Sequence, residues 1–196
     1  MKTREVAILI FDEVEVLDMC GPFEVFSVAG RNDDPRPFHV SLVAEEKRPI
    51  IARHGFSVNP HFTLNDCPKP DIVLVPGGYG TRREMHNASI VDWVKRIAAT
   101  TELTLSVCTG SLVLAKAGLL DGLEITTHHL ALDLLRLSAP TSIIREGRRF
   151  LDNGKVITSG GIAAGIDMSL HVVSRLLGAN VAKETAAYME YPWTEN

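Results

Sequence analysis

One cysteine stands where a thiol could act. Cys108-Thr109-Gly110 lies between a run of β-favouring residues, Leu103 to Val107, and a helix-forming segment, Ser111 to Ala115. A strand that turns straight into a helix leaves the turn residue on a tight backbone corner, its side chain projecting from the carboxyl end of the sheet. Gly110 permits the close approach such a corner requires. The following helix points its unpaired N–H groups and positive dipole end at the sulfur, which favours thiolate over thiol. The chemistry indicated is attack by Cys108 on a small electrophile, with a covalent thio-adduct as intermediate. Burial as a structural thiol is the ordinary fate of a cysteine, and the strand–Cys–Thr–Gly–helix context sets this one apart. A nucleophile also needs a proton partner, and Asp18, shortly after the first apolar run, offers a carboxylate; its alternative use is to cap the helix that follows. Two negative charges in one partly dry pocket repel, so one group must hold a proton. With the dipole favouring charge on sulfur, the Asp18 pKa should rise and that of the Cys108 thiol should fall. His128 and His129 leave two readings open: completion of a Cys–His pair, or a solvated or core-bonded histidine.

These groups need elements to position them. Val6–Phe11 and Asp71–Val75 are continuous apolar runs, as expected of parallel strands covered on both faces. Phe38–Ala44, Leu103–Val107 and Val156–Thr158 read as further strands, Ile50-Ile51 with Phe56–Val58 as a small hairpin, and Glu124–Thr127 as a short strand. Ser142–Arg145 and Arg149–Leu151 bracket the turn-like Glu146-Gly147-Arg148. Helices are expected over Leu17–Ala29, Ser89–Thr100, His129–Leu137, Ala163–Leu177 and Ala179–Tyr188; Ile90, Val94 and Ile97 recur at helical spacing in the second. No linker, repeat or low-complexity segment interrupts the alternation. The expectation is a single α/β domain over residues 1–196: a doubly wound, mostly parallel sheet sandwiched by helices, flavodoxin-like in organisation. Ligands of such sheets bind outside the carboxyl ends of the strands. That rim collects Asp18, Pro76-Gly77-Gly78-Tyr79-Gly80, Cys108-Thr109, Thr126-Thr127-His128-His129 and Ser159-Gly160-Gly161.

Composition narrows the partners. The 196 residues are 45% hydrophobic and 22% charged, ordinary for a globular protein, with 20 basic against 24 acidic residues for a net charge of −4. Without a Lys/Arg run, neither nucleic acid nor an anionic membrane is expected as the main partner. The amino-terminal apolar run is too short for a signal segment or a membrane span. Cys20, Cys67 and Cys108 show neither a disulfide framework nor metal-ligand spacing. Cys20 sits near Asp18 and packs at or beneath the rim, while Cys67 carries no chemistry. The reading is a cytoplasmic, reduced protein that uses no metal and no cofactor.

Leu17-Asp18-Met19-Cys20-Gly21-Pro22, Val75-Pro76-Gly77-Gly78-Tyr79-Gly80, Ser106-Val107-Cys108-Thr109-Gly110, Thr126-Thr127-His128 and Ser159 through Asp167 together resemble the ThiJ/PfpI superfamily, of the class I glutamine amidotransferase-like fold. The likeness runs from about Val6 to Tyr191. In that superfamily the acidic residue on the first loop is usually Glu and the cysteine is often followed by His. Asp18 and Thr109 in those places are the pattern of isonitrile hydratases, which implies a lyase that hydrates isonitriles to N-substituted formamides through a thioimidate on Cys108. The resemblance further implies the Gly78 and Thr109 N–H groups as donors to developing negative charge, the Thr109 hydroxyl as a substrate contact or a helix cap, and His128 as a pocket-lining group rather than a base. It also implies a symmetric homodimer, for which the aromatic Tyr188–Trp193 segment offers surface. Two rivals remain: a glyoxalase- or deglycase-like hydratase of methylglyoxal-type electrophiles, and a non-catalytic small-molecule or oxidant sensor akin to the sensor domains of AraC-type regulators.

Overall fold

Apolar runs become strands and segments with helical spacing become helices, in the computed structural model, which describes residues 2–194. In chain order the elements are β1 (Arg4–Leu9), α1 (Val16–Val28), β2 (Phe38–Ala44), β3 (Ile50–Ile51), β4 (Ser57–Val58), β5 (Phe62–Thr63), β6 (Ile72–Val75), α2 (Thr81–Glu84) and α3 (Ala88–Ala98). Then come β7 (Leu103–Val107), α4 (Gly110–Lys116), β8 (Glu124–Ile125), α5 (Leu132–Ser138), β9 (Ile143–Ile144), β10 (Phe150–Asp152), β11 (Val156–Ser159), α6 (Ala164–Leu177) and α7 (Ala179–Tyr188).

Seven strands form the central sheet in the order β10-β11-β7-β6-β1-β2-β5. All neighbours are parallel except β10 and β11. β6 and β7 are buried at every residue, which explains why neither alternates apolar with exposed polar residues. Their side chains join Phe26, Ile8, Trp93, Ile90 and Leu112 in one core. The helices pack in two groups, α1 with α6 and α7, and α3 and α5 around α4. This is the doubly wound, mostly parallel sheet flanked by helices that the apolar runs require. Strand order reverses beside β1, since β2 lies on one side of it and β6 on the other. The loops after β1 and β6 therefore part at the carboxyl rim. Here they are joined again by an antiparallel bridge between Val14 and Gly78 and by the Glu15 N–H to Gly77 O bond of 2.9 Å. No helix among the described residues is long and apolar enough to cross a membrane.

Three features differ from the sequence expectation. The hairpin near residue 150 is not closed by Glu146-Gly147-Arg148. β9 instead pairs in parallel with β8, and β10 turns back into β11 through Asn153-Gly154-Lys155. Asn-Gly is the stronger hairpin signal: Gly154 takes φ 84°, and its N–H donates to Asp152 Oδ1 at 2.7 Å. A one-turn helix, α2, follows the glycine loop directly, too short to leave a periodic trace in the sequence. The carboxy-terminal aromatic segment is mostly spent on its own fold. Tyr191 and Trp193 are partly buried against the core and the Tyr191 hydroxyl meets Asp167 at 3.1 Å, leaving Tyr188 half exposed beneath the Arg31 guanidinium.

Gly110 is where the β7–α4 corner touches β6. A methyl group there would overlap the Val75 carbonyl, a backbone atom that cannot swing aside. Gly110→Ala is expected to cost about 3 kcal/mol of stability by urea unfolding; a wild-type midpoint would show that the corner is not tightly packed.

Candidate active site

Cys108 occupies the left-handed region, φ 56°, a conformation that costs a non-glycine residue on the order of 1–2 kcal/mol. Its backbone is held from several sides. The N–H lies 3.2 Å from Ser159 O and 3.1 Å from Gly160 O, at the end of the neighbouring β11. The carbonyl accepts from the Thr127 hydroxyl at 2.7 Å and the Ser111 hydroxyl at 3.2 Å. The corner leaves the residue only 6% exposed.

Asp18, in the first turn of α1, is fully buried beside this thiol. It caps nothing: Glu15 holds the N-cap position, and Asp18 lies inside the helix. Its Oδ2 accepts the Gly77 N–H at 3.1 Å, while Oδ1 has no partner with hydrogen-bond geometry. Burial raises its pKa to about 7, against the opposing pull of the Cys108 thiol and the Gly77 N–H. The carboxyl thus shifts in the expected direction and the thiol does not. Burial, and next the charge on Asp18, push the Cys108 thiol up, outweighing the Thr109 N–H and hydroxyl that favour thiolate. A helix terminus is a local effect, whereas desolvation of a 6%-exposed residue depends on the whole surrounding fold. Two groups that both resist charge in one dry site titrate as a pair. Above about pH 7 they share a single proton, and below it they hold two.

The glycine loop is used differently from the expectation. The Gly77 N–H serves Asp18, and the Gly78 N–H donates to Thr109 Oγ1 at 3.0 Å. The Thr109 hydroxyl lies 3.1 Å from Gly78 O and 2.9 Å from Thr81 Oγ1, and Thr81 Oγ1 is 2.7 Å from Gly78 O. Gly78 therefore keeps its N–H on Thr109 Oγ1, and the Thr109 hydroxyl, which also lies within reach of the sulfur, braces the loop. The Thr109 N–H still faces the sulfur. A Cβ on Gly77 would lie 2.6–2.7 Å from Thr109 N, Asp18 Oδ2 and Cys108 Cβ, so only glycine fits between the three.

His128 packs against the loop that follows β11. Its Nδ1 accepts the Leu130 N–H at 3.2 Å, which leaves the proton of the neutral ring on Nε2. Burial first, then the stacked His129 ring at 4.3 Å, lowers its pKa. The ring presses on Gly161, where a Cβ would overlap it. Leu17 beside Asp18, Tyr79 beside Gly78, Leu130 two residues after His128, and Ile162 are exposed apolar side chains. Cys20 is half-buried with its thiol pushed up by burial, and Cys67, pushed up to about 11, donates to Pro68 O at 3.2 Å. Among the described residues no cluster of His, Cys, Asp and Glu converges as metal ligands would. The sequence pattern brings Cys108, Asp18, Gly78, Thr109 and His128 to one rim but does not reveal the bonds of Thr81 to Thr109 and of Thr127 to the Cys108 carbonyl, which are tertiary, nor the local bond of Ser111 to that carbonyl.

A doubly wound sheet with a left-handed cysteine corner and a buried carboxyl beside it defines a class of cysteine-bearing α/β proteins. The chain belongs to the DJ-1/PfpI family, whose model matches residues 4–175. It is 37% identical over 188 residues to the isonitrile hydratase of Pseudomonas putida, covering 95% of this chain and 78% of that one. It is 30% identical to the HTH-type transcriptional regulator CdhR of Pseudomonas aeruginosa over 91% of this chain, which spans 52% of the regulator. Among solved structures, a ThiJ/PfpI family protein from Pseudomonas syringae superposes with a TM-score of 0.89 at 27% identity, covering 100% of this chain and 78% of that one.

Two outcomes follow from this geometry. Thr109→Val strips the buried Gly78 N–H of its acceptor and should cost about 1–3 kcal/mol in urea unfolding, with Thr109→Ser close to wild type. Asp18 has a folded-state pKa raised from 3.8 to about 7, so its stabilising contribution is complete below about 4 and is lost as pH rises through 7. Asp18→Asn should therefore be more stable than wild type at pH 8, by at most about 4 kcal/mol, with the gain vanishing near pH 4. Equal Tm differences at both pH values would show that the carboxyl is not desolvated.

Proposed function

We propose that this protein is an isonitrile hydratase-like lyase in which Cys108 is the nucleophile and Asp18 the proton carrier. One observation carries the reading: the proton donor sits against the sulfur, while the Gly77 and Gly78 N–H groups are already consumed. Addition of a thiolate to the terminal carbon of R–N≡C leaves the new electron pair on that same carbon, one bond from sulfur. An acid in contact with sulfur reaches it. Addition to a methylglyoxal carbonyl places the charge one bond farther away, on an oxygen that calls for N–H donors. The geometry favours the isonitrile.

The steps balance without a redox partner. The pair reacts as thiolate and carboxylic acid. Sγ bonds to the isonitrile carbon, and Asp18 protonates that carbon to give the thioimidate R–N=CH–S. Asp18, now a carboxylate, takes a proton from water as its oxygen adds to the carbon. The remaining hydroxyl proton passes to nitrogen, the C–S bond breaks, and R–NH–CHO leaves with Sγ again a thiolate beside protonated Asp18. The apolar side chains Leu17, Leu130 and Ile162 suit a hydrocarbon R group, and the Nε2–H of His128 suits the formamide oxygen.

The test is formamide production from a panel of isonitriles, run beside methylglyoxal and peptide substrates. Wild type is expected to turn over isonitriles, Cys108→Ser to be inactive, and Asp18→Asn to lose about 10²- to 10⁴-fold in kcat. The acid limb of kcat/KM should lie near pH 7, where the pair gains its second proton. Turnover of methylglyoxal alone, or full activity of Asp18→Asn, would overturn the proposal. Alkylation of Cys108 with no turnover of any substrate would assign the domain to binding instead, as the likeness to a regulator would suggest.

A further inference from the structure

We infer that Thr127 is the positioning residue that holds the Cys108 nucleophile in its left-handed corner, through the bond from its hydroxyl to the Cys108 carbonyl. The inference rests on the nucleophile reading of Cys108 but not on the identity of the electrophile. At φ 56° the Cys108 carbonyl leaves the β7 ladder and needs donors of its own. It has two. Ser111 is the longer, at 3.2 Å, and belongs to α4, the helix that moves with the corner. Thr127, at 2.7 Å, lies 19 residues away on the turn that follows β8.

That turn is itself anchored. The neighbouring Thr126 N–H donates to Thr158 Oγ1 at 3.0 Å, fixing it to β11. β11 and the residue after it also supply Ser159 O and Gly160 O, the acceptors of the Cys108 N–H. Both ends of the strained residue are thus tied to the same neighbouring framework, and Thr127 is the tie on the carbonyl side. Its side chain is buried, so water does not compete for the bond. A residue in a sparsely populated conformation persists only while its surroundings over-determine it. Without the Thr127 hydroxyl, Cys108 relaxes toward the ordinary backbone region and its sulfur swings away from Asp18.

The experiment measures the rate of Cys108 alkylation by iodoacetamide against pH for wild type, Thr127→Val, Thr127→Ala and Thr127→Ser, with Tm and isonitrile turnover recorded for each. Wild type should show an inflection near pH 7, set by Asp18. Thr127→Val and Thr127→Ala should lose that inflection, because the sulfur no longer titrates against Asp18, and should lose about 10- to 100-fold in turnover, the scale expected when a reacting atom is displaced by about 1 Å. Thr127→Ser should restore the inflection. Loss of folded protein alone would scale the alkylated fraction and leave the inflection where it was, and that result, or a Ser variant indistinguishable from Val, would overturn the inference. Altered alkylation profiles in a protein that hydrates no isonitrile would sink the proposed reaction and leave Thr127 in place. Normal profiles in an active hydratase would do the reverse.

Discussion

The placement of one buried negative charge governs this structure. Cys108 and Asp18 meet where water has been excluded, and each alone is pushed toward neutrality by that exclusion. The Cys108 thiol and the Gly77 N–H pull the Asp18 carboxyl back toward ionisation, so that it titrates at about 7. Everything near them serves this arrangement. Gly77 has no side chain because a Cβ would press on Asp18, Thr109 and Cys108 together, and its N–H steadies the carboxylate. The Thr109 and Thr81 hydroxyls close the Gly78 peptide upon itself, so the loop turns its polar groups inward.

Much of this was legible before any coordinates, because part of it is local. A strand running into a helix through Cys-Thr-Gly requires a corner, and the corner exists. The buried strands declare themselves by lacking alternation, as at Ile72–Val75. The Asn153-Gly154 turn carried its own signal, which the weaker Glu146-Gly147-Arg148 stretch obscured.

What could not be read is tertiary in origin. Thr81 and Thr127 are ordinary threonines in the chain, and nothing in their spacing shows that the one reaches Thr109 Oγ1 and the other the Cys108 carbonyl. The thiol pKa was misjudged for the same reason. A helix dipole follows from residues 108 to 116 alone, but desolvation follows from the loops after β1, β6, β8 and β11, which only the folded chain brings together. The Gly78 N–H belongs here too: an amide after a strand is free by default, and only the side chain of Thr109, 31 residues later, occupies it.

The bridge between Val14 and Gly78 has a bearing on molecular size. In an open doubly wound sheet the parting of loops at the reversal of strand order is the natural berth for a long ligand, a dinucleotide lying across the crevice. Here two backbone segments are stitched together over that berth, and the sulfur of Cys108 stands at the end of β7, separated from β1 by β6. A molecule that must lie down across the reversal of strand order finds that crevice closed, and the Cys108 residue, only 6% exposed, stands one strand away from it.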